Sequence, residues 1–262
     1  MNENLFLVGT QHHDLDGKER LDAILTKLSP SIIALEFHKD RENQKTLRKL
    51  SKEEQQEIIF DIINGQGFNL SLKQKETLFE AVYQTNIRMG YELTVSQDYI
   101  KRNPNSRLEY IDISLLKNGE EEFVKGYIEL ATKDLKDIAK NPIILNGTKK
   151  ILDKRVDAYL NFQRINIQRT YENRKRLAGT EIMRDPEILK RIKKDISPQA
   201  FQVLKQVYNL KRDEVMGRNI RQLYTNRDKL VAIVGQGHLE ALNSRLEDLN
   251  PRVMTLLEYD SI

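Results

Sequence analysis

Three short apolar runs, far apart in the sequence, constrain most strongly what this chain can fold into. They occupy residues 5–8, 32–37 and 230–234 of a 262-residue chain. Runs of this length that are rich in Val, Ile and Leu are typical of strands buried on both faces of a parallel sheet. A helical pattern at 18–28 separates the first two runs, and this β-α-β order predicts parallel pairing. The sequence therefore predicts an α/β fold whose sheet is built from both ends of the chain.

The stretch between these runs has a helical pattern. Helices are predicted at 51–64, 71–90, 120–140, 148–178, 197–210 and 212–225, and the first of them opens on a capping box of Ser51 and Glu54. Weaker strand patterns lie at 107–113 and 252–258. The whole pattern predicts one α/β domain over residues 1–262. It has a mixed central sheet, flanking helices and a long helical insertion at roughly 115–205.

Composition excludes several kinds of chemistry. The chain has no Cys, which rules out disulfides, thiol catalysis, Cys-ligated zinc and iron–sulfur clusters. The N-terminus lacks the basic segment and long apolar run of a signal peptide, and no stretch has the ~20 apolar residues of a transmembrane helix. We therefore expect a soluble, cytoplasmic protein with no transmembrane segment.

Charge is distributed unevenly along the chain. Residues 149–229 hold 21 Lys and Arg against 10 Asp and Glu, whereas the remaining residues hold 22 against 29. Basic helices in this region could meet an acidic partner such as nucleic acid, although a solvated helix surface explains the same pattern. No cluster of aromatic residues accompanies these charges, so the pattern does not favour stacking on bases.

All four histidines follow strand-like runs. His12 and His13 come after the first run, His38 after the second and His238 after the third. The carboxyl ends of parallel strands share one edge of a sheet, where ligands bind, so these imidazoles can converge. His12 and His238 also share a local pattern, Gly-x-x-His, in which the glycine lets the chain turn off the strand.

Glu36 adds a carboxylate at the end of the second run. A charge in an apolar strand is costly unless it is paired or bound to a metal. If the strand continues, Glu36 and His38 lie on the same face. Imidazole and carboxylate oxygen together suit zinc, manganese or cobalt. The same residues also allow simpler interpretations, a histidine exposed after a strand and a glutamate paired with an arginine.

Four segments of the sequence resemble the TraB family, which includes the PrgY-type proteins and is related to the Tiki metalloproteases. The family's hallmarks are two Gly-x-x-His motifs, a Glu after the second strand, and an Arg-Asp/Asn-x-x-Met helix before the last motif. The matching segments, in order, are FLVGTQHHD (6–14), IALEFHKDR (33–41), RDEVMGRNI (212–220) and VAIVGQGHLEAL (231–242). The resemblance spans residues 6–242, although the region between the motifs resembles the family only in being helical and contains no matching motif.

The resemblance implies roles for individual residues. It makes His12 and His238 metal-binding or catalytic residues, Glu36 a ligand or general base, and Arg212 a stabiliser of an oxyanion or of a carboxylate. An ion pair between Arg212 and Glu36 is the simpler alternative. Secondary candidates are His13, His38, Arg41 and Arg218. This chain has His38 where family members commonly carry an acid, which bears on metal preference.

Together these observations predict a metal-dependent hydrolase, with a peptidase implied by the resemblance. Its partner would be a peptide or small signal molecule, and its cofactor a divalent manganese, cobalt or zinc ion. A non-catalytic protein that binds or sequesters a peptide or signal molecule in the same cleft is the alternative. A nucleic-acid-binding protein acting through residues 149–229 is a third interpretation. The sequence leaves the oligomeric state open.

Overall fold

The centre of the molecule is a five-stranded sheet. The computed structural model describes residues 4–39, 51–65, 69–88, 90–114, 142–172 and 210–258, with short pieces between 190 and 202. The strands are β1 (Leu5–Thr10), β2 (Ile32–Leu35), β3 (Arg107–Tyr110), β4 (Leu230–Gly235) and β5 (Arg252–Thr255), in the order β3-β2-β4-β1-β5. The predicted α/β class is confirmed. The sheet was expected to be mixed, with parallel and antiparallel pairs, whereas all pairings between the described strands are parallel.

One face of the sheet packs against three helices, α1 (Gly17–Leu28), α4 (Tyr91–Arg102) and α6 (Val156–Glu172). Strand residues such as Val8, Ile33 and Ile233 meet Leu25 of α1 and Val95 of α4 in a single apolar cluster. Alternate residues of each strand point to this face, as the twofold period of a strand requires. This layer also brings the carboxyl-terminal end of α6 to the sheet.

The opposite face packs against α7 (Leu210–Leu223) and α8 (Leu239–Arg245). Leu7, Ala34 and Ala232 lie here against Met216 of α7 and Leu242 of α8. Met216 is completely buried. Because helices cover both faces of the sheet, side chains on both faces of each strand are buried. The strand sequences are therefore continuous apolar runs and do not alternate between apolar and polar residues.

The other described helices lie away from the sheet. They are α2 (Lys52–Gly65), α3 (Leu72–Arg88) and α5 (Pro142–Leu152). Ile63 and Leu152 form a small separate core with Leu70. The predicted capping box is present, since the Ser51 amide donates to Glu54 Oε2 (2.7 Å) and the Glu54 amide to Ser51 Oγ (3.1 Å).

Helix boundaries differ from the predictions in two places. The helix predicted at 71–90 ends at Arg88, and a separate helix, α4, which the sequence analysis missed, begins at Tyr91. The region predicted as one helix at 148–178 contains the end of α5, which begins at Pro142, and all of α6, with an interruption at 153–155. Residues 173–178 lie outside the described residues. At this interruption Asp153 Oδ1 accepts a hydrogen bond from the buried Gln74 side chain of α3 (2.6 Å). The helix predicted at 120–140 lies outside the described residues, as does part of the predicted insertion.

Strand register determines which loops meet at the carboxyl edge of the sheet. Thr10 of β1 pairs with Gly235 of β4, and Leu35 of β2 pairs with Ile233 of β4. The residues that follow β1, β2 and β4 therefore emerge side by side.

Among the described helices, none combines the length and apolarity that crossing a bilayer requires.

Candidate functional site

Glu36 lies at the centre of a cluster of charged side chains, one residue beyond the end of β2. It is buried, at 8% exposure. Its Oε1 accepts a hydrogen bond from Arg212 Nη2 (2.5 Å), and its Oε2 accepts one from the Gly235 amide (2.5 Å). A Cβ at position 235 would lie 3.3 Å from this Oε2, so glycine lets the carboxylate approach the backbone of β4 closely.

Arg212 joins Glu36 to a second buried carboxylate, Asp112. The guanidinium donates to Asp112 Oδ1 through Nε (3.0 Å) and to Oδ2 through Nη2 (2.6 Å). All three side chains are buried, so the arginine compensates two carboxylates that water does not reach. Burial by itself would lower the pKa of Arg212, but Glu36 and Asp112 outweigh it and raise that pKa.

His238 is held between two carboxylates. Its Nδ1 lies 2.5 Å from Asp213 Oδ1, and its Nε2 lies 3.4 Å from Glu36 Oε1. An ionised carboxylate can only accept, so Nδ1 carries the proton. Burial alone would lower the pKa of His238, but the charge of Glu36 and the hydrogen bond to Asp213 raise it to about 10. Burial would likewise raise the pKa of Glu36, yet His238 and Arg212 hold it well below its ordinary value.

His12 reaches the same cluster from the end of β1. Its Nδ1 lies 2.7 Å from Glu92 Oε1, which also accepts a hydrogen bond from Thr10 Oγ1 (2.9 Å). A Cβ on Gly235 would lie 3.6 Å from His12 Nε2, so this nitrogen is directed to the space beside Glu36. The His12 side chain is 50% exposed and that of His238 is 12% exposed, so His12 is the more accessible to solvent.

Two histidines thus share one arrangement. In each, a buried carboxylate holds Nδ1, and Nε2 faces the centre of the cluster. The same arrangement orients metal-binding histidines, and it also orients histidines that transfer protons. The donors suit a divalent metal in kind, because they are two imidazole nitrogens and a carboxylate. Within the described residues, however, no three His, Asp or Glu side chains are grouped closely enough to hold an ion.

The structure brings together His12, Glu36, His238 and Arg212, but not the secondary candidates. His13 and Arg218 are exposed. The strand does not continue to His38, because β2 ends at Leu35 and the Phe37 amide turns back to the Leu35 carbonyl (2.7 Å). The condition under which Glu36 and His38 would share a face, a strand that continues to His38, is therefore not met. Arg41 lies outside the described residues.

Three carboxylates of the cluster were not identified from the sequence. Asp112 follows β3, so the strand-end argument used for the histidines applies to it as well. Asp213 stands beside Arg212 in the motif of α7. Glu92 has the weakest signal, a carboxylate on the buried face of a helix whose other buried residues include Val95 and Tyr99.

Comparison with known proteins adds little to this description. The chain is 25% identical over 264 residues to the uncharacterized protein MJ1365 of Methanocaldococcus jannaschii, a match that covers 94% of this chain. The chain spans about half (54%) of the length of that relative. No known family model and no solved structure matches the chain.

Proposed function

We propose that this chain is a metal-dependent hydrolase, acting on peptides, with its site at the carboxyl ends of β1, β2 and β4. The observation that carries the proposal is the convergence of His12 and His238 on Glu36, with each Nδ1 held by a buried carboxylate. Two residues from opposite ends of the chain are oriented alike toward one point. Such preorganisation of imidazoles is what metal binding or proton transfer requires.

His12, His238 and Glu36 would hold the ion, which we propose to be manganese, cobalt or zinc. As described, these three side chains are not grouped closely enough to hold an ion, so binding would have to draw them together. When bound, the ion supplies a water of lowered pKa and polarises the carbonyl of the substrate. Oε1 of Glu36 contacts Arg212 Nη2 and His238 Nε2, and Oε2 accepts from the Gly235 amide. A carboxylate offers about four lone-pair positions, so a position for a ligand remains. Binding requires His238 to release its proton, which couples metal affinity to pH.

The surrounding residues would position the proposed ligands and compensate their charge. Glu92 and Asp213 fix the ring orientation of the two histidines. Arg212 holds Glu36 in place and compensates its charge. Its Nε and Nη2 both donate to buried carboxylates, which supports a positioning role better than direct contact with substrate. The more exposed side of the site is that of His12, so substrate and solvent reach the site past this residue.

Metal titration tests the proposal. Purified protein stripped with a chelator is expected to gain thermal stability on addition of Mn²⁺, Co²⁺ or Zn²⁺, because a ligand that binds only the folded state stabilises it. His12→Ala and His238→Ala should abolish this gain. His13→Ala is the matched control, since it alters an exposed neighbouring histidine. If the wild-type protein neither retains nor responds to any of the three metals, the metal-dependent function is wrong.

Peptide cleavage tests the second half of the proposal. The metal-loaded protein should cleave members of a mixed peptide library, and His12→Ala should lose this activity while remaining folded. Mass spectrometry of the library identifies new termini directly. A metal-loaded wild-type protein that cleaves no peptide bond contradicts the assignment of a peptidase.

One observation favours the non-catalytic alternative, in which the cleft binds or sequesters a peptide or signal molecule. Both oxygens of Glu36 already accept short hydrogen bonds, and one of their donors is the cation of Arg212. A carboxylate engaged in this way suits a fixed binding surface. Binding of library peptides without cleavage, lost in His12→Ala, would favour this alternative over the hydrolase.

A further inference from the structure

The two Gly-x-x-His loops are joined directly by a pair of glutamines. Gln11 Nε2 donates a hydrogen bond to Gln236 Oε1 at 2.9 Å. Gln11 immediately precedes His12, and Gln236 lies two residues before His238. In each loop, the glutamine that links the loops therefore lies within two residues of the histidine.

Both loops are also attached to the carboxyl-terminal end of α6. Gln236 Nε2 donates to the Thr170 carbonyl (3.0 Å) and lies 3.4 Å from that of Tyr171. The Tyr171 hydroxyl accepts a hydrogen bond from the Gln11 amide (3.0 Å) and donates one to Asp14 Oδ2 (3.1 Å). The contacts among Gln11, Gln236 and Tyr171 thus close into a ring, which we call the glutamine–tyrosine ring.

The ring is largely shielded from water. Gln236 is 4% exposed and Tyr171 3%, whereas Gln11 is half-buried. Asp14, which accepts the hydrogen bond of Tyr171, is also buried. A buried polar group that loses its partner keeps the full cost of its desolvation, so each member of the ring resists displacement of the others. Carbonyls in the last turn of a helix have no partner within the helix, and the amide of Gln236 provides one.

We propose that Gln11, Gln236 and Tyr171 are positioning residues that set the separation and orientation of His12 and His238. The two loops leave the sheet from β1 and β4, and the ring ties them to each other and to α6. The helix thereby becomes part of the site although it carries none of the candidate ligands. The proposal rests on the proposed function only where metal binding serves as a readout.

Substitutions of the same residue types elsewhere on α6 separate this role from general stability. Gln236→Ala and Tyr171→Phe each remove ring contacts. Gln163→Ala and Tyr159→Phe are the controls, because Gln163 donates to the Tyr159 hydroxyl (3.0 Å) elsewhere on α6. Thermal melts establish that all four variants are folded. Two ring variants are used so that the failure of one to fold leaves the other available.

Two readouts are measured on each variant. The first is the set of imidazole ¹⁵N and ¹H resonances of metal-free protein, which contains only four histidines. The second is the affinity for Mn²⁺. We expect the ring variants to shift the resonances of His12 and His238 but not those of His38. Their Mn²⁺ affinity should fall by about 10- to 100-fold, as for residues that orient metal ligands, while the controls stay within about twofold.

The two proposals fail in different ways. If wild-type protein binds no metal, the proposed function fails, and the imidazole resonances alone decide the role of the ring. If both ring variants have the same His12 and His238 resonances as the controls, the positioning role is wrong. Altered resonances with unaltered Mn²⁺ affinity would also overturn it, because the ring would then not control the geometry that the ligands need.

Discussion

At the scale of single residues, the arrangement of Glu36, Arg212 and Asp112 is the most consequential. Two buried carboxylates share one guanidinium, so removing the guanidinium would take away the positive charge that compensates both of them. The sequence offered both interpretations of Arg212, a stabiliser in the site and an ion-pair partner of Glu36. The structure combines them, because the ion pair itself holds Glu36 beside the histidines.

Removing the shared cation should be costly. Arg212→Met keeps similar bulk but leaves two buried carboxylates uncompensated, so we expect a loss of about 3–5 kcal/mol in the free energy of unfolding. Arg221→Met is the matched control on the same helix, because Arg221 pairs with Asp248 in an exposed ion pair. Urea denaturation measures both. Equal stability of the two variants would contradict the buried role of Arg212.

The protonated state of His238 should make stability depend on pH. Its pKa is raised from 6.5 to about 10 in the folded, metal-free protein, chiefly by Glu36 once the opposing effect of burial is overcome. The stabilisation is therefore complete below pH 6.5 and is lost as the pH rises toward 10. The expected slope for one proton is about 1.4 kcal/mol per pH unit. Urea denaturation from pH 6 to 10 tests this, and His238→Gln should flatten the curve. Identical slopes in the two proteins would refute the assignment.

At the scale of elements, the start of α4 decides whether His12 has a partner. The sequence analysis predicts one helix over 71–90 and none beginning at Tyr91, although Tyr91, Val95 and Tyr99 recur at helical spacing. The start of α4 depends on Gly90, whose φ of 64° is left-handed and whose amide donates to the His12 carbonyl (3.1 Å). Only after this turn does α4 place Glu92 against the His12 ring. Local patterns identified the histidines, whereas their orienting carboxylates depend on helix placement, which periodicity does not encode.

Two glycine substitutions should therefore have opposite effects. Gly90→Ala forces a left-handed backbone on a residue with a Cβ and should destabilise the protein by about 1–2 kcal/mol. Gly147→Ala lies within α5 with nothing within 4 Å of the added carbon, so it should stabilise by about 0.5–1 kcal/mol. Thermal melts compare the two with wild type. Gly90→Ala should also weaken any metal binding that requires His12. Equal effects of the two substitutions would show that the Gly90 turn imposes no constraint.

At the scale of the whole molecule, the sheet follows from the sequence better than the helices do. The runs at 5–8, 32–37 and 230–234 became β1, β2 and β4, because strands buried on both faces leave an unambiguous apolar signature. The weaker patterns at 107–113 and 252–258 became the edge strands β3 and β5. Strand order was not predictable, since nothing local specifies that β4 lies between β1 and β2.

Stability should accordingly be greatest around β4. The strands β1 and β4 are buried along almost their whole length, whereas α2 buries only Gln55 and Ile63. We expect amide hydrogens of β1 and β4 to exchange only through global unfolding, and those of α2 to exchange faster through local opening. Hydrogen exchange followed by mass spectrometry of peptides covers both regions. Slower exchange in α2 than in β4 would contradict this ranking.

The position of β4 also has a consequence for synthesis on the ribosome. β1 and β2 are close together in the sequence, yet they do not pair with each other. Both pair with β4, which is translated nearly two hundred residues after β2. Until β4 emerges, the nascent chain holds two apolar strands whose facing edges lack their native partner, a condition that favours aggregation. The central sheet can close only after β4 has been translated. The same late event that completes the sheet also delivers His238 to Glu36, so this chain cannot assemble its candidate site before it has assembled its fold.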